Sequence, residues 1–419
     1  MAKLFGSGEL YHGLGSLEEL KQIKGNKAVI VIGGSSVRKN GSLDRVEAIL
    51  KSSGFETAIF SGVESDPSVD TVRKNGSLDR VEAILKSSGF ETAIFSGVES
   101  DPSVETVRRG AALFTEFQPD WVIGLGGCSA IDAAKAMWAL YEYPELTFEK
   151  MTEVGGIPPL RKKAHFCAIP STSGTGTEIT ALAVITDREK GVKYPLVSYE
   201  LLPDFSIVDG ELCKSMPKNV TANTGLDALT HCVEAYVSNI PDNYAEAMAK
   251  GGIQLIFDNI VTAVNTPEDG TARQNMHDAS CLGGYAFTNA WLGIVHSLAH
   301  QMGGVFGVPH GCANAILLPN VIRYNAKATE GYNDLAKLIH CGESAEEFAV
   351  AIEKLRAECG VPASIAEYGI DEKDWKEAIP AMAEHAMTDP CTGFNPRTTS
   401  VEELAKIYEA IYNDTKVNF

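Results

Sequence analysis

Three of the nine histidines fall in one short stretch, residues 293–320, which reads GIVHSLAHQMGGVFGVPHGCANAILLPN. His296 and His300 are spaced i,i+4, which on a helix stacks two imidazoles on one face. His310 lies between Pro309 and Gly311, a context that predicts the end of one helix and the start of the next. Upstream, Asp227 and His231 repeat the spacing with a carboxylate and an imidazole. One acid and several imidazoles suit a divalent cation such as zinc or iron, which takes three or four protein ligands. A solitary i,i+4 histidine pair is more often a solvated helix face. Two such pairs and His310, in apolar and glycine-rich surroundings, point to metal instead. Spacing leaves open which of the five bind, and a zincin-like site would use both His296 and His300. Ser297, however, stands where H-E-x-x-H has its glutamate, which counts against a metallopeptidase. His12, His165, His277, His340 and His385 have no partner at ligand spacing and read as structural or exposed.

A second group of residues suits phosphate. Residues 121–135 run from a strand through Gly126, Gly127 and Ser129 into a helix, which places backbone N–H groups and a helix N-terminus where a pyrophosphate can sit. A plain strand–helix turn reads the same way. Asp132 and Lys135, on the helix's first turns, either touch a cofactor or trim the helix end. The loop 171–177 gathers Ser171, Thr172 and Thr175 with two glycines at a strand's C-terminal end, where α/β folds bind ligands. Lys193, in EKGVKYP, reads by default as an exposed hairpin lysine.

The elements that must position these groups differ between the two halves. Residues 27–32 (KAVIVI) read as a buried strand ending in the turn Gly33, Gly34, Ser35, Ser36. Residues 42–53 have a helical period with a serine N-cap, and 57–60, 119–125, 164–169, 181–186 and 205–209 read as further strands. Strands alternating with helices over 1–215 predict a mostly parallel, doubly wound sheet. From 216 to 419 nearly every segment is helical in period: 221–238, 243–264, 270–289, 292–302, 311–326, 330–340, 345–358 and 399–412. The expected domains are therefore 1–215 and 216–419, more than one core's worth of chain.

One feature is anomalous. Residues 37–69 recur without a change as 72–104. Repeat arrays drift and recur more than twice, so a solenoid is excluded. A recent duplication or an assembly artefact remains. One copy is expected to complete the sheet and the other to sit outside it as an extra helix–strand unit.

A formal charge of −19 excludes nucleic acid as a partner, since nothing would neutralise phosphates. Nine scattered cysteines without a C-x-x-C pair suit reduced thiols. The first residues, MAKLFGSGELYHG, contain no apolar h-region, and no stretch approaches 18 apolar residues. A cytoplasmic chain bound to no membrane is expected.

Taken together, GLGGCSAIDAAKA (124–136), PSTSGTGTEIT (170–180), GLDALTHCVEAYVS (225–238), HSLAHQMGGVFGVPHGCANAILLP (296–319) and TGFNPR (392–397) resemble the iron-containing (group III) alcohol dehydrogenases over residues 5–412, apart from the extra copy. The resemblance implies a dehydroquinate synthase-like fold, with a Rossmann-like α/β domain, an all-α domain and a cleft between them. It implies that Asp227, His231, His296 and His310 hold the metal, Fe(II) ahead of Zn(II), and that His300 faces the nicotinamide and relays protons. Cofactor contacts for NAD(P)(H) expected on this basis are Gly126, Gly127, Ser129, Ser171, Thr172, Thr175 and Lys193; Gly33, Ser35, Asp101 and Asp132 are expected beside them. Cys128 stands where the family usually has glycine, and is expected to crowd the pyrophosphate. The turn after residue 32 carries Ser35, Ser36, Arg38 and Lys39 and no acid, which leans towards NADP(H). The implied activity is reversible hydride transfer between NAD(P)H and a short aldehyde or primary alcohol, in a homodimer or larger homo-oligomer. A lyase or cyclase of the same fold, or a chain impaired by its duplication, are the alternatives.

Overall fold

The structure, a computed structural model, describes residues 4–33, 37, 40–61, 94–95, 102–153, 155–190 and 192–419. The chain divides into an α/β unit (Gly6–Thr172 and Thr177–Ser215) and a helical unit (Met216–Phe419, joined by Ser173–Gly176 and the N-terminal Leu4 and Phe5).

The strands of the α/β unit are β1 (Glu9–His12), β2 (Lys27–Ile32), β3 (Glu56–Ser61), β4 (Ile94–Phe95), β5 (Trp121–Gly126), β6 (His165–Pro170), β7 (Leu182–Asp187), β8 (Val192–Val197) and β9 (Phe205–Val208). Seven form one sheet in the order β1-β9-β6-β5-β2-β3-β4, parallel throughout. β2 is apolar at every position after Lys27 because both faces are covered. Val29 and Val31 pack with Val107 and Phe114 of helix α2 (Val104–Phe117) and Trp138 of α3 (Cys128–Glu142), while Ile30 and Ile32 pack with Val46 and Leu50 of α1 (Ser42–Ser52).

Three expectations change. Ser42 is the first residue of α1 and not its cap; Gly41, at φ 77°, is the cap, and Asn40 Oδ1 accepts the Ser42 N–H at 3.0 Å. β7 leaves the parallel sheet and pairs antiparallel with β8, because a four-residue connection permits no crossover. The second copy's strand does not stay outside: Ile94 and Phe95 of β4 pair in parallel with Ile59 and Phe60 of β3, their own duplicates. An identical strand has the same β propensity, and the sheet edge offers it free backbone groups. Residues 62–93 and 96–101 lie outside the described residues.

The helical unit contains α4 (Lys218–Val237), α5 (Asn243–Asn265), α6 (Gly270–Ala290), α7 (Ile294–Phe306), α8 (His310–Asn325), α9 (Gly331–Leu338), α10 (Ala345–Glu358), α11 (Glu372–Thr388) and α12 (Val401–Tyr412). α4 is buried nearly all round because α5, α6 and α8 pack on it. α11 was not expected, since Pro380 interrupts its pattern. It is held by Trp375, Ile379 and Met382 in the core and started by Asp371, whose side chain accepts from the Lys373 and Asp374 N–H groups. Among the described residues no helix is long and apolar enough to cross a membrane.

Candidate active site

Asp227 and His231 sit one turn apart on α4, His296 near the start of α7, and His310 is the first residue of α8, after Pro309. Gly311 allows the close approach: a Cβ there would lie 2.0 Å from the Asn223 carbonyl oxygen, so any larger residue would push α8 off α4. The four side chains offer one ligand atom each, all within 4.8 Å of one another. Asp227 Oδ1 lies 3.5 Å from His310 Nε2 and 3.9 Å from both His231 Nε2 and His296 Nε2. Tetrahedral coordination with bonds of about 2.1 Å needs ligands roughly 3.4 Å apart, so small side-chain shifts would close the cage on an ion.

The far side of two of the three rings is also used. His231 Nδ1 is 3.2 Å from the Gly174 carbonyl, and His296 Nδ1 is 2.5 Å from Glu234 Oε2. An acceptor on Nδ1 fixes the tautomer that leaves Nε2 a free lone pair, the usual support of a metal-binding histidine. Burial drives the His296 pKa well below the ordinary value, which keeps that ring neutral and able to donate its lone pair. Burial alone would raise the Asp227 carboxyl, but the neighbouring His231, His310 and His296 outweigh it and hold the group lowered and anionic. Three imidazole nitrogens and a carboxylate, three of the four side chains fully buried, fit a divalent transition metal.

His300 stands beside this cage in a different setting. Its ring stacks on His310 with centroids 5.4 Å apart, its side chain is 43% exposed, and its Nδ1 lies 2.8 Å from Asp389 Oδ2. Burial of Asp389 opposes its charge, but the His300 hydrogen bond prevails and lowers its pKa. With Nδ1 so engaged, Nε2 is the atom that can exchange a proton. Phe287 lies against His231, whereas Trp291 stacks on Phe394 and Phe306 tilts against Trp375.

In the α/β unit, Gly126 (φ 149°) ends β5, Gly127 caps α3 and Ser129 follows on its first turn. No side chain caps α3 and no acid lies in its first turn, so its N–H groups remain suited to an anion. Gly33, at the end of β2, abuts Ala130, and Thr172 abuts Gly127. Ser171 donates its N–H to the Gly126 carbonyl at 2.8 Å. The structure thus brings Gly33, Gly126, Gly127, Ser129, Ser171 and Thr172 together. Thr175 belongs to Ser173–Gly176 of the helical unit, and Lys193 is exposed on β8. Ser35 and Asp101 lie outside the described residues.

Asp132 departs from expectation. Its carboxylate is buried and accepts from Thr177 Oγ1 at 2.7 Å and Val184 N at 2.9 Å, which turns it inward as a brace. Lys135, fully buried, donates to the carbonyls of Thr177, Thr180 and Leu182. Cys128 turns back along its own helix, its Sγ 3.5 Å from Asp132 Oδ2. Sequence reasoning missed Glu234, Asp389, Asn314 and the Gly174 carbonyl. Glu234 is one turn beyond His231, and Asn314 one turn beyond His310, so the helical spacing that found the ligands also pointed to these two.

Comparison with known proteins agrees with this geometry. The profile of the family "Iron-containing alcohol dehydrogenase" matches residues 7–75 and 70–210, two overlapping stretches as the duplication requires, and that of "Fe-containing alcohol dehydrogenase family, C-terminal" matches 221–412. The chain is 43% identical to the NADPH-dependent butanol dehydrogenase of Clostridium saccharobutylicum, over 98% of both chains. It is 41% identical to aldehyde-alcohol dehydrogenase 2 of Entamoeba histolytica, over 96% of this chain but 45% of that protein's length. A solved 1,3-propanediol oxidoreductase superposes with a TM-score of 0.83 at 32% identity, covering 98% of this chain and 100% of that one. The chain belongs to the iron-containing alcohol dehydrogenase family, metal-dependent oxidoreductases that transfer hydride reversibly between NAD(P)H and an aldehyde or primary alcohol.

Proposed function

We propose that the chain reduces aldehydes of three to four carbons, with Asp227, His231, His296 and His310 as the metal ligands and His300 as the proton relay. The observation that carries this reading is the convergence of four ligand atoms beside a histidine whose Nδ1 is already engaged by Asp389. The named substrates of the similar butanol dehydrogenase and 1,3-propanediol oxidoreductase support the size range.

When bound, the divalent ion supplies Lewis-acid polarisation of the carbonyl. The chain's own residues do the rest. Glu234 and the Gly174 carbonyl orient two imidazoles so that their Nε2 lone pairs converge. In reduction the carbonyl carbon gains the hydride of NAD(P)H and its oxygen gains a proton. His300 Nε2 gives that proton and is refilled from solvent through its exposed edge. In alcohol oxidation the same atom takes the proton. The uncapped start of α3, with Gly126, Gly127, Ser129, Ser171 and Thr172, binds the cofactor phosphates, and Asp132 and Lys135 act as positioning residues beneath them. Ser35, Arg38 and Lys39, together with the NADPH dependence in the relative's name, favour NADP(H). We place the chain in the cytoplasm as a homo-oligomer, a reading supported by nine cysteines that form no disulfide and by the family resemblance.

The test is His300→Ala. Metal content should stay at the wild-type level while kcat for butyraldehyde reduction falls by about 100-fold or more, the usual share of a positioned acid–base group. Unchanged kcat would remove His300 from the mechanism.

A further inference from the structure

Asn314 is fully buried on α8, and its side-chain amide faces the cage. Nδ2 lies 2.7 Å from Asp227 Oδ1 and 3.2 Å from both His296 Nε2 and His310 Nε2. Its Oδ1, equally buried, has no hydrogen-bond partner among the described residues. A buried amide that leaves its acceptor unsatisfied costs stability, so the orientation calls for an explanation. Turning the amide round would aim its oxygen at the Asp227 carboxylate oxygen and the His296 Nε2 lone pair, three acceptors with no hydrogen between them. The N–H groups must therefore point inward for these side chains to sit so close together.

We propose that Asn314 is a positioning residue of the metal cage. Its amide donates into the face formed by Asp227, His296 and His310 and holds the three groups converged before an ion arrives. The inference rests on the reading of these side chains as ligands. Both histidine contacts are long and only one amide hydrogen is left for them, so giving them up to an ion loses little. The short, charge-assisted bond to Asp227 uses a carboxylate lone pair that ligation leaves free, and it persists. On balance Asn314 strengthens ion binding, and removing it should weaken affinity by roughly 10- to 100-fold, as for other groups that orient a metal ligand.

The experiment titrates chelator-stripped wild type, Asn314→Ala and Asn314→Asp with Zn(II) against a competing chromophoric chelator, and records thermal melting with and without the ion. Wild type should bind one ion, and Asn314→Ala should bind it at least about 10-fold more weakly. A Co(II) visible spectrum of the alanine variant should differ from that of wild type, a change that lost packing elsewhere would not cause. Asn314→Asp keeps the shape but replaces the donor with a second anion against Asp227. Its metal-free form should melt lower than wild type, and the ion should raise its Tm more than it raises that of wild type. An alanine variant within twofold of wild-type affinity, or an aspartate variant that melts like wild type when metal-free, would overturn the proposal. Wild type that takes up no ion would instead overturn the assignment of the ligands themselves.

Discussion

At the scale of single residues, the proposed site depends on what lies behind its candidate ligands. Burial pushes the Glu234 carboxyl up to about 7, in contact with a His296 ring that burial keeps neutral. An ion on His296 Nε2 requires a proton on Nδ1 and a carboxylate to receive it. Below pH 7 that carboxyl carries a proton which ion binding must expel, so affinity should rise with pH through about 7 and then level off. The sign for stability is opposite. A pKa raised above 4.5 in the fold stabilises the metal-free protein below that pH and ceases to do so as pH rises through about 7. Calorimetry of Zn(II) binding at pH 6 in two buffers of different ionisation enthalpy should show proton release, and Glu234→Gln should diminish it. Identical heats in both buffers would contradict this account.

At the scale of elements, the loop between β6 and β7 is held from beneath. Lys135 donates to two of its carbonyls and to that of Leu182 at the start of β7, and lies beside Asp132, so the pair forms a buried polar knot under the proposed phosphate turn. Lys135→Met would take a donor from three carbonyls and leave a buried carboxylate without its cation, costing about 3–5 kcal/mol. Urea unfolding measures this, and a loss under 1 kcal/mol would mean that the knot is dispensable. Much of this level was legible beforehand. β2 and β5 announced themselves as apolar runs, and α5 and α10 by helical period. Long-range consequences were not. Pro380 hid α11, the helix that carries Asp389 to His300, because local propensity says nothing of the Trp375 burial that overrides it. Asp132 read as a cofactor contact because spacing shows which turn a side chain occupies and not which way it faces. Five candidate ligands were visible from two i,i+4 pairs and His310, but the narrowing to Asp227, His231, His296 and His310 rested on resemblance.

At the scale of the whole molecule, the anomaly is the exact recurrence of residues 37–69 as 72–104. The two copies of one strand sequence lie side by side in the sheet, and among the described residues Ile94 and Phe95 of the second pair with Ile59 and Phe60 of the first. Deleting residues 37–71 removes one copy and leaves the other to take the position that β3 now holds. The shortened chain should fold, bind metal and melt no lower than the parent, as followed by circular dichroism; a shortened chain that fails to fold would show that both copies are structural. The central claim is that Asp227, His231, His296 and His310 hold the ion on which aldehyde reduction depends. The most direct measurement strips the protein with a chelator, re-supplies Fe(II) or Zn(II), and follows NADPH and NADH oxidation with butyraldehyde, for wild type and Asp227→Ala side by side. Turnover that returns to wild type only with metal, and never to Asp227→Ala, is the predicted result. Turnover by the stripped protein, or full reactivation of Asp227→Ala, would contradict it.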